Sequence, residues 1–233
     1  MLSRIQGKIE SGYKSLGHNQ GWSFLYTPGR TLSADTRFLF MGLNPGGSND
    51  SEAAEMTTEK GNAYNPDVED WSGNGNGSTL QQQIVQFYGR VAEKTGHDCR
   101  KLMDSTLAAN FCPFRSKSWA ELKEHEGTLN FCDELWQEIL GQTQITTIVC
   151  MSSIVHQHLL SIMRKAGGEV TSSVSKEVGW GKVQYHVTRC SLNDREICLI
   201  CLPHLSRYQI FGREGSRSQV EEITDFVVRS LVG

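Results

Sequence analysis

No apolar stretch in the 233-residue sequence reaches the roughly 18 residues needed to span a bilayer. The opening residues, Met1-Leu2-Ser3-Arg4-Ile5-Gln6, lack the apolar core of a secretory leader. These absences predict a protein with no membrane partner, cytoplasmic, or nuclear where the source cell has a nucleus. Excess positive charge is missing as well. Lys and Arg number 23 against 26 Asp and Glu, for a net charge of −3. Bulk charge therefore does not drive this chain onto polyanions, and any nucleic-acid contact must come from a local basic patch. There is no phosphate-binding Gly-x-x-x-x-Gly-Lys loop and no Gly-x-Ser-x-Gly nucleophile elbow. Internal repeats and long charge blocks are absent too.

Metal signatures are equally sparse. The seven cysteines are odd in number, and Cys150, Cys198 and Cys201 lie inside apolar runs. Cys198 and Cys201 have CxxC spacing, but within Ile197-Cys198-Leu199-Ile200-Cys201-Leu202. A strand puts residues three apart on opposite faces, so these two are poorly placed to share an ion. No second CxxC exists. His156 and His158 are two apart on a predicted helix and face different directions. We expect buried, reduced thiols and neither a metal nor another cofactor.

What is present is ordinary globular composition, 38% apolar and 21% charged. The length suits one domain over residues 1–233, expected as a monomer. Residues 2–16 carry a weak helical pattern. Residues 37–43 form an apolar run closed by Asn-Pro-Gly-Gly, which reads as a buried strand. A long polar stretch follows to Ser78, ending in a Gly/Asn-rich segment, and loops of that length are usually functional or mobile. Leu80, Ile84, Phe87, Tyr88 and Val91 then predict a helix over 79–95, with Ser78 or Thr79 as its cap. Strands are expected at 105–111, 144–151, 183–188 and 196–202, and helices at 129–140, 152–165 and 219–231. This alternation predicts a three-layer α/β/α sandwich around a short, mainly parallel sheet.

In such sheets ligands bind beyond the carboxyl ends of the strands. Three predicted strands end in chemically loaded turns: Gly42-Leu43-Asn44-Pro45-Gly46, Asn110-Phe111-Cys112-Pro113 and Pro203-His204-Leu205-Ser206. Taken singly, Asn44 before a proline is a common turn, Asn110 is a cap or a turn, and His204 is a surface imidazole. Together they predict convergence on one sheet edge.

These turns resemble the uracil-DNA glycosylase superfamily, nearest its single-strand-selective monofunctional and mismatch-specific branches. The family's first motif, Gly-x-Asn-Pro-Gly, matches Gly42–Gly46. The Asn-x-Cys-Pro of the single-strand-selective branch matches Asn110–Pro113. A His-containing last loop that enters DNA matches Pro203–Ser206. The matches span about residues 37–217. The usual final motif continues from its His as Pro-Ser-Pro, whereas here Leu205-Ser206-Arg207 follow. The resemblance implies a monofunctional DNA repair enzyme that flips a damaged pyrimidine out of DNA and hydrolyses its glycosidic bond. It also implies that Tyr64, at about the family's distance from the first motif, stacks on the base. A packed loop tyrosine is the alternative, and Trp71 is a second aromatic candidate.

The chemistry of base removal gives each residue a part. The departing base gathers negative charge, which a donor at its carbonyl oxygen stabilises, and His204 is the candidate. Asn110 offers a donor and an acceptor to a pyrimidine edge. Asn44 positions the attacking water; an amide is a poor base, which predicts modest turnover. Gly42, Leu43, Pro45 and Gly46 shape the substrate wall, with Gly42 and Gly46 allowing close backbone approach. Backbone NH groups at Gly46 and Gly47 are candidates for holding a phosphate or the base. Ser206, Arg207, Arg213 and Arg217, mixed with Tyr208 and Phe211, suit contact with a DNA backbone, and Arg115 and Lys117 extend that set. Two other readings stay open. One is a base- or nucleotide-binding module of the same fold without catalysis. The other is a hydrolase of free nucleosides or nucleotides.

Overall fold

The computed structural model of the chain describes residues 1–46 and 53–232. Gly47 lies outside the described residues. Along the chain run α1 (Leu2–Ser15), β1 (Trp22–Ser23), β2 (Phe38–Gly42), β3 (Ala54–Glu55), α2 (Thr79–Thr95) and α3 (Cys99–Ser105). Then come β4 (Leu107–Asn110), α4 (His125–Gln142), β5 (Thr147–Cys150) and α5 (Ser153–Lys165). The chain ends with β6 (Glu169–Glu177), β7 (Gln184–Leu192), β8 (Arg195–Cys201) and α6 (Arg217–Val232). No described helix is long and apolar enough to cross a membrane.

The short apolar runs become the inner strands. β2, β4 and β5 are buried along their whole length, as strands covered on both faces must be. The main sheet has the order β4-β2-β5-β8-β7-β6. Its first four strands are parallel, and β7 and β6 extend it antiparallel. Alternation along β2 feeds two cores. Leu39 and Met41 pack with Ile5 and Ile9 of α1, Trp136 of α4 and Leu159 of α5. Phe38 and Phe40 pack with Phe87 of α2 and Ile223 of α6. This is the expected three-layer α/β/α sandwich. Each fully buried large apolar side chain contributes about 1.5–3 kcal/mol, so two filled faces hold the short sheet in place. Cys198 and Cys201 fall in opposite cores, as their spacing requires, and all seven cysteines are free.

Helix α2 starts and stops where its sequence says. Ser78 and Gln81 form a reciprocal capping box, and Gly96 closes the helix in the left-handed region. Four elements go beyond the sequence reading, among them β1 and β3, which pair in parallel as a separate two-stranded sheet. α3 is a short helix capped by Asp98 just before β4. β6 is an edge strand exposed throughout, so it carries no burial pattern to read. The outer edge of β4 is covered by residues 22–27. Leu25 bridges Ala109 antiparallel, Asn110 N–H donates to Phe24 O, and Tyr26 N–H donates to Ala108 O.

Register sets the strand ends level. Gly42 lies opposite Asn110, Met41 opposite Cys150, and Cys150 opposite Cys201. From β2 the chain moves to β4 on one side and later to β5 on the other. That reversal opens a crevice at the carboxyl ends, where α/β sheets place ligands.

Candidate active site

A cavity of about 850 Å³ occupies this crevice, lined from all four parallel strand ends. Asn44, Asn110 and His204 all line it, as do Gly42, Leu43, Gly46 and Tyr64. Pro45 is buried and contributes no wall. The predicted convergence of the three turns is thus what the sheet produces.

The β2 and β4 tails stay paired past the sheet. Phe111 N–H donates to Gly42 O at 2.9 Å and Cys112 N–H to Leu43 O at 2.8 Å. This brings Ser116 to Asn44, whose Nδ2 donates to Ser116 Oγ at 2.9 Å and to Pro45 O at 3.3 Å. Both amide hydrogens are thereby engaged, and Oδ1 is the atom left to accept from a ligand or water.

Asn110 is 2% exposed. Its Nδ2 donates to Ser23 O at 3.3 Å. A backbone carbonyl can only accept, so this bond fixes which end of the amide is which. Gly42 is needed beside it for a reason other than backbone approach to substrate. A Cβ on Gly42 would lie 2.8 Å from Asn110 Oδ1 and 3.3 Å from the Tyr64 hydroxyl.

Tyr64 reaches the cavity but is only 2% exposed. Tyr26, Phe40 and Trp71 meet it at steep angles of 65–70°. Most of its ring is packed in the core, whereas Trp71 is 38% exposed at the cavity wall. Trp71 therefore offers the larger free aromatic surface. Burial pushes the Tyr64 and Tyr26 phenols up, so both remain neutral.

His204 opens a single turn after β8, with Arg207 and Tyr208 N–H both donating to its carbonyl. Leu205, Ile210 and Phe211 are buried and anchor that loop. Gln83 of α2 clasps it further: its Nε2 donates to Phe211 O and its Oε1 accepts from Phe211 N–H. Leu205 stands where the resembling family has proline, and here it is an anchor facing the core. The His204 imidazole is exposed at the rim, and partial desolvation lowers its pKa below the ordinary 6.5. Its Nδ1 is 2.8 Å from Ser206 Oγ.

The remaining basic candidates divide. Arg115 lines the cavity, but it is tied to Gly46 O and to Glu55 at 3.0 Å. Lys117, Arg207, Arg213 and Arg217 are exposed outside it. Sequence reasoning missed Tyr26, Gln184 and His186, which also line the cavity. Tyr26 arrives with the segment covering β4, and Gln184 and His186 arrive on β7. His186 sits opposite Cys201 in the sheet and stacks on His156, 5.9 Å between ring centres. Neither a protein-family model nor a curated protein matches this chain.

Proposed function

We propose that this chain hydrolyses the N-glycosidic bond of uracil, or of a related damaged pyrimidine, in DNA, and that it belongs with the uracil-DNA glycosylase superfamily. The observation that carries the reading is the meeting of Asn44, Asn110 and His204 in one cavity at the switch point of a parallel sheet. Excision requires the base out of the stack and in a pocket.

Asn110 reads the base. With Nδ2 turned toward Ser23 O and the Tyr26 hydroxyl bonded to the same amide, the amide faces the base in fixed order, Oδ1 as acceptor and an Nδ2 hydrogen shared with Tyr26 as donor. Uracil's N3–H and O4 complement that order. Cytosine reverses both groups, and turning the amide to suit it would set Oδ1 against Ser23 O. His204 meets the charge that gathers on the departing base. If Ser206 donates to Nδ1, the imidazole proton sits on Nε2, free to donate to the base's carbonyl oxygen. The lowered pKa keeps this imidazole neutral at pH 7. Asn44 Oδ1 accepts from the attacking water. The water's hydroxyl goes to the sugar carbon and a proton goes to the base. Among the described residues no lysine lines the cavity, which supports water as the nucleophile.

The test is release of free uracil from single- and double-stranded uracil-containing oligonucleotides. A folded protein that releases none from either refutes the reading. His204→Ala should cut the rate by about 10²–10³-fold without loss of fold, because His204 is exposed. A loss of affinity alone, with no rate to lose, points to a base-binding module. Glu69 also lines the cavity without an ion-pair partner among the described residues and would repel a phosphodiester, which favours a free nucleoside as the rival substrate. Steep salt dependence of turnover supports DNA, and a flat response supports the nucleoside.

A further inference from the structure

Outside the cavity mouth, the turn joining β6 to β7 meets the last loop. The turn is closed by Val178 N–H donating to Val183 O and Val183 N–H to Trp180 O. Gly179 packs against the backbone of Gly215, where any Cβ would collide with the Gly215 carbonyl. The hairpin tip and the loop are therefore fitted to each other. Across that seam the Arg213 guanidinium lies over the Trp180 ring, with Cζ 4.3 Å from its centre. Tyr208 meets Trp180 edge-on at 6.0 Å, and Arg207 lies 5.4 Å from the Tyr208 ring centre.

No ion pair among the described residues ties down the cations of this patch. Among the described residues, Lys182, Arg207, Arg213 and Arg217 form no ion pair. What sets Arg213 and Arg207 apart from other unpaired cations is that each lies against an aromatic ring. In an acidic protein, free cations gathered on aromatic rings mark a place for an anion. A guanidinium stacked on an indole keeps its in-plane N–H groups available while losing little freedom on binding. The inner end of the same hairpin carries Gln184 and His186 into the cavity wall. One element thus runs from the cavity to the patch.

We propose that the β6–β7 hairpin is a nucleic-acid-binding arm. The strand whose base enters the cavity passes Gln184 and lies on the Trp180–Arg213–Tyr208–Arg207 surface. Trp180 is a positioning residue that holds Arg213 against a phosphate, and Tyr208 packs on the flanking nucleotide. This rests on the reading of the cavity as a nucleotide site, and it adds a contact that reading does not require.

The experiment is fluorescence anisotropy of the full chain with a short, uracil-free, single-stranded oligothymidylate over a salt series, with uracil release assayed on the same preparations. Arg213→Gln, at an exposed position, should weaken binding about three- to tenfold and lower the log–log salt slope by about 0.7. Trp180→Ala should weaken binding about two- to fivefold with a smaller drop in slope than Arg213→Gln, because the charge remains, and Trp180→Phe should restore it. If Trp180→Ala fails to fold, the Arg213→Gln and Trp180→Phe results decide. A wild-type protein that excises uracil while both Arg213→Gln and Trp180→Ala bind normally overturns the arm and leaves the excision reading standing. Excision without any oligothymidylate binding overturns the arm in the same way. A protein that neither binds nor excises overturns both. Equal displacement of the oligonucleotide by a poly-glutamate peptide would overturn nucleic acid as the occupant.

Discussion

Gly42 works by what it lacks. Its missing side chain leaves the space that Asn110 Oδ1 and the Tyr64 hydroxyl fill. Asn110 cannot retreat easily, because its Nδ2 is held by Ser23 O. Gly42→Ala should therefore turn or shift the Asn110 amide, and if that amide reads the base as proposed, a misplacement of that size costs about 10–100-fold in rate. Steady-state excision by a folded Gly42→Ala variant checks it, and wild-type turnover would refute the packing argument. His204 gives a second test at this scale. The proposed role uses its neutral form, with Ser206 donating to Nδ1, and desolvation lowers its pKa below 6.5. As pH falls, a base with a lowered pKa stays neutral longer. The acid limb of kcat/KM should then lie below pH 6.5 and vanish in His204→Ala. A limb centred above 6.5 and unchanged by the substitution would assign it to another group.

At the scale of elements, α2 holds up the aromatic wall. Gln81, fully buried in its first turn, accepts from Ser78 N–H and Trp71 N–H. It also donates to Ala63 O, beside Tyr64, and to Glu69 O. Gln81→Ala should cost about 2–4 kcal/mol by stranding several buried groups, and should raise KM by freeing Tyr64 and Trp71. Ser78→Ala removes only the cap, about 1 kcal/mol, and should leave KM alone. Urea melts paired with kinetics separate the two. This contrast also shows what a sequence discloses. The bounds of α2 are legible because Ser78, Gln81 and Gly96 act locally. The turns bearing Asn44, Asn110 and His204 are legible because each follows an apolar run. Tyr26 and His186 are not, because they reach the cavity through pairing with distant strands. β6 is not legible because Val170 and Val174 are more than a third exposed and nothing alternates. Arg115 is legible as a charge, but its tie to Glu55 is not.

At the scale of the whole molecule, protonation couples the flanking layers to the sheet. His18 is buried against Phe114, 4.2 Å between ring centres, with Nε2 2.9 Å from Thr128 Oγ1. His156 of α5 lies between Thr188 and His186 of β7. Burial, aided by Lys123 for His18 and by His186 for His156, pushes both pKa values down to about 4. In the unfolded chain both return to about 6.5. Between those values the unfolded state binds more protons than the folded one, so stability falls as pH drops from 6.5 to 4 and flattens below. Each histidine accounts for up to about 3 kcal/mol of that fall. The carboxylates with lowered pKa, such as Glu138 and Glu222, start from an ordinary value of 4.5 and add their loss mainly below this window. Urea denaturation at pH 7, 5.5 and 4 should show the decline, and His156→Gln should remove about half of it while keeping a polar partner for Thr188. An unchanged pH dependence in that variant would mean that His156 titrates in the folded protein as it does in the unfolded chain. The same variant probes the site, because His156 backs the cavity-wall His186. If the chain excises uracil as proposed, the variant's rate at pH 7, where His156 is already neutral, should stay within about threefold of wild type, since the imidazole supports the wall and does not line the cavity.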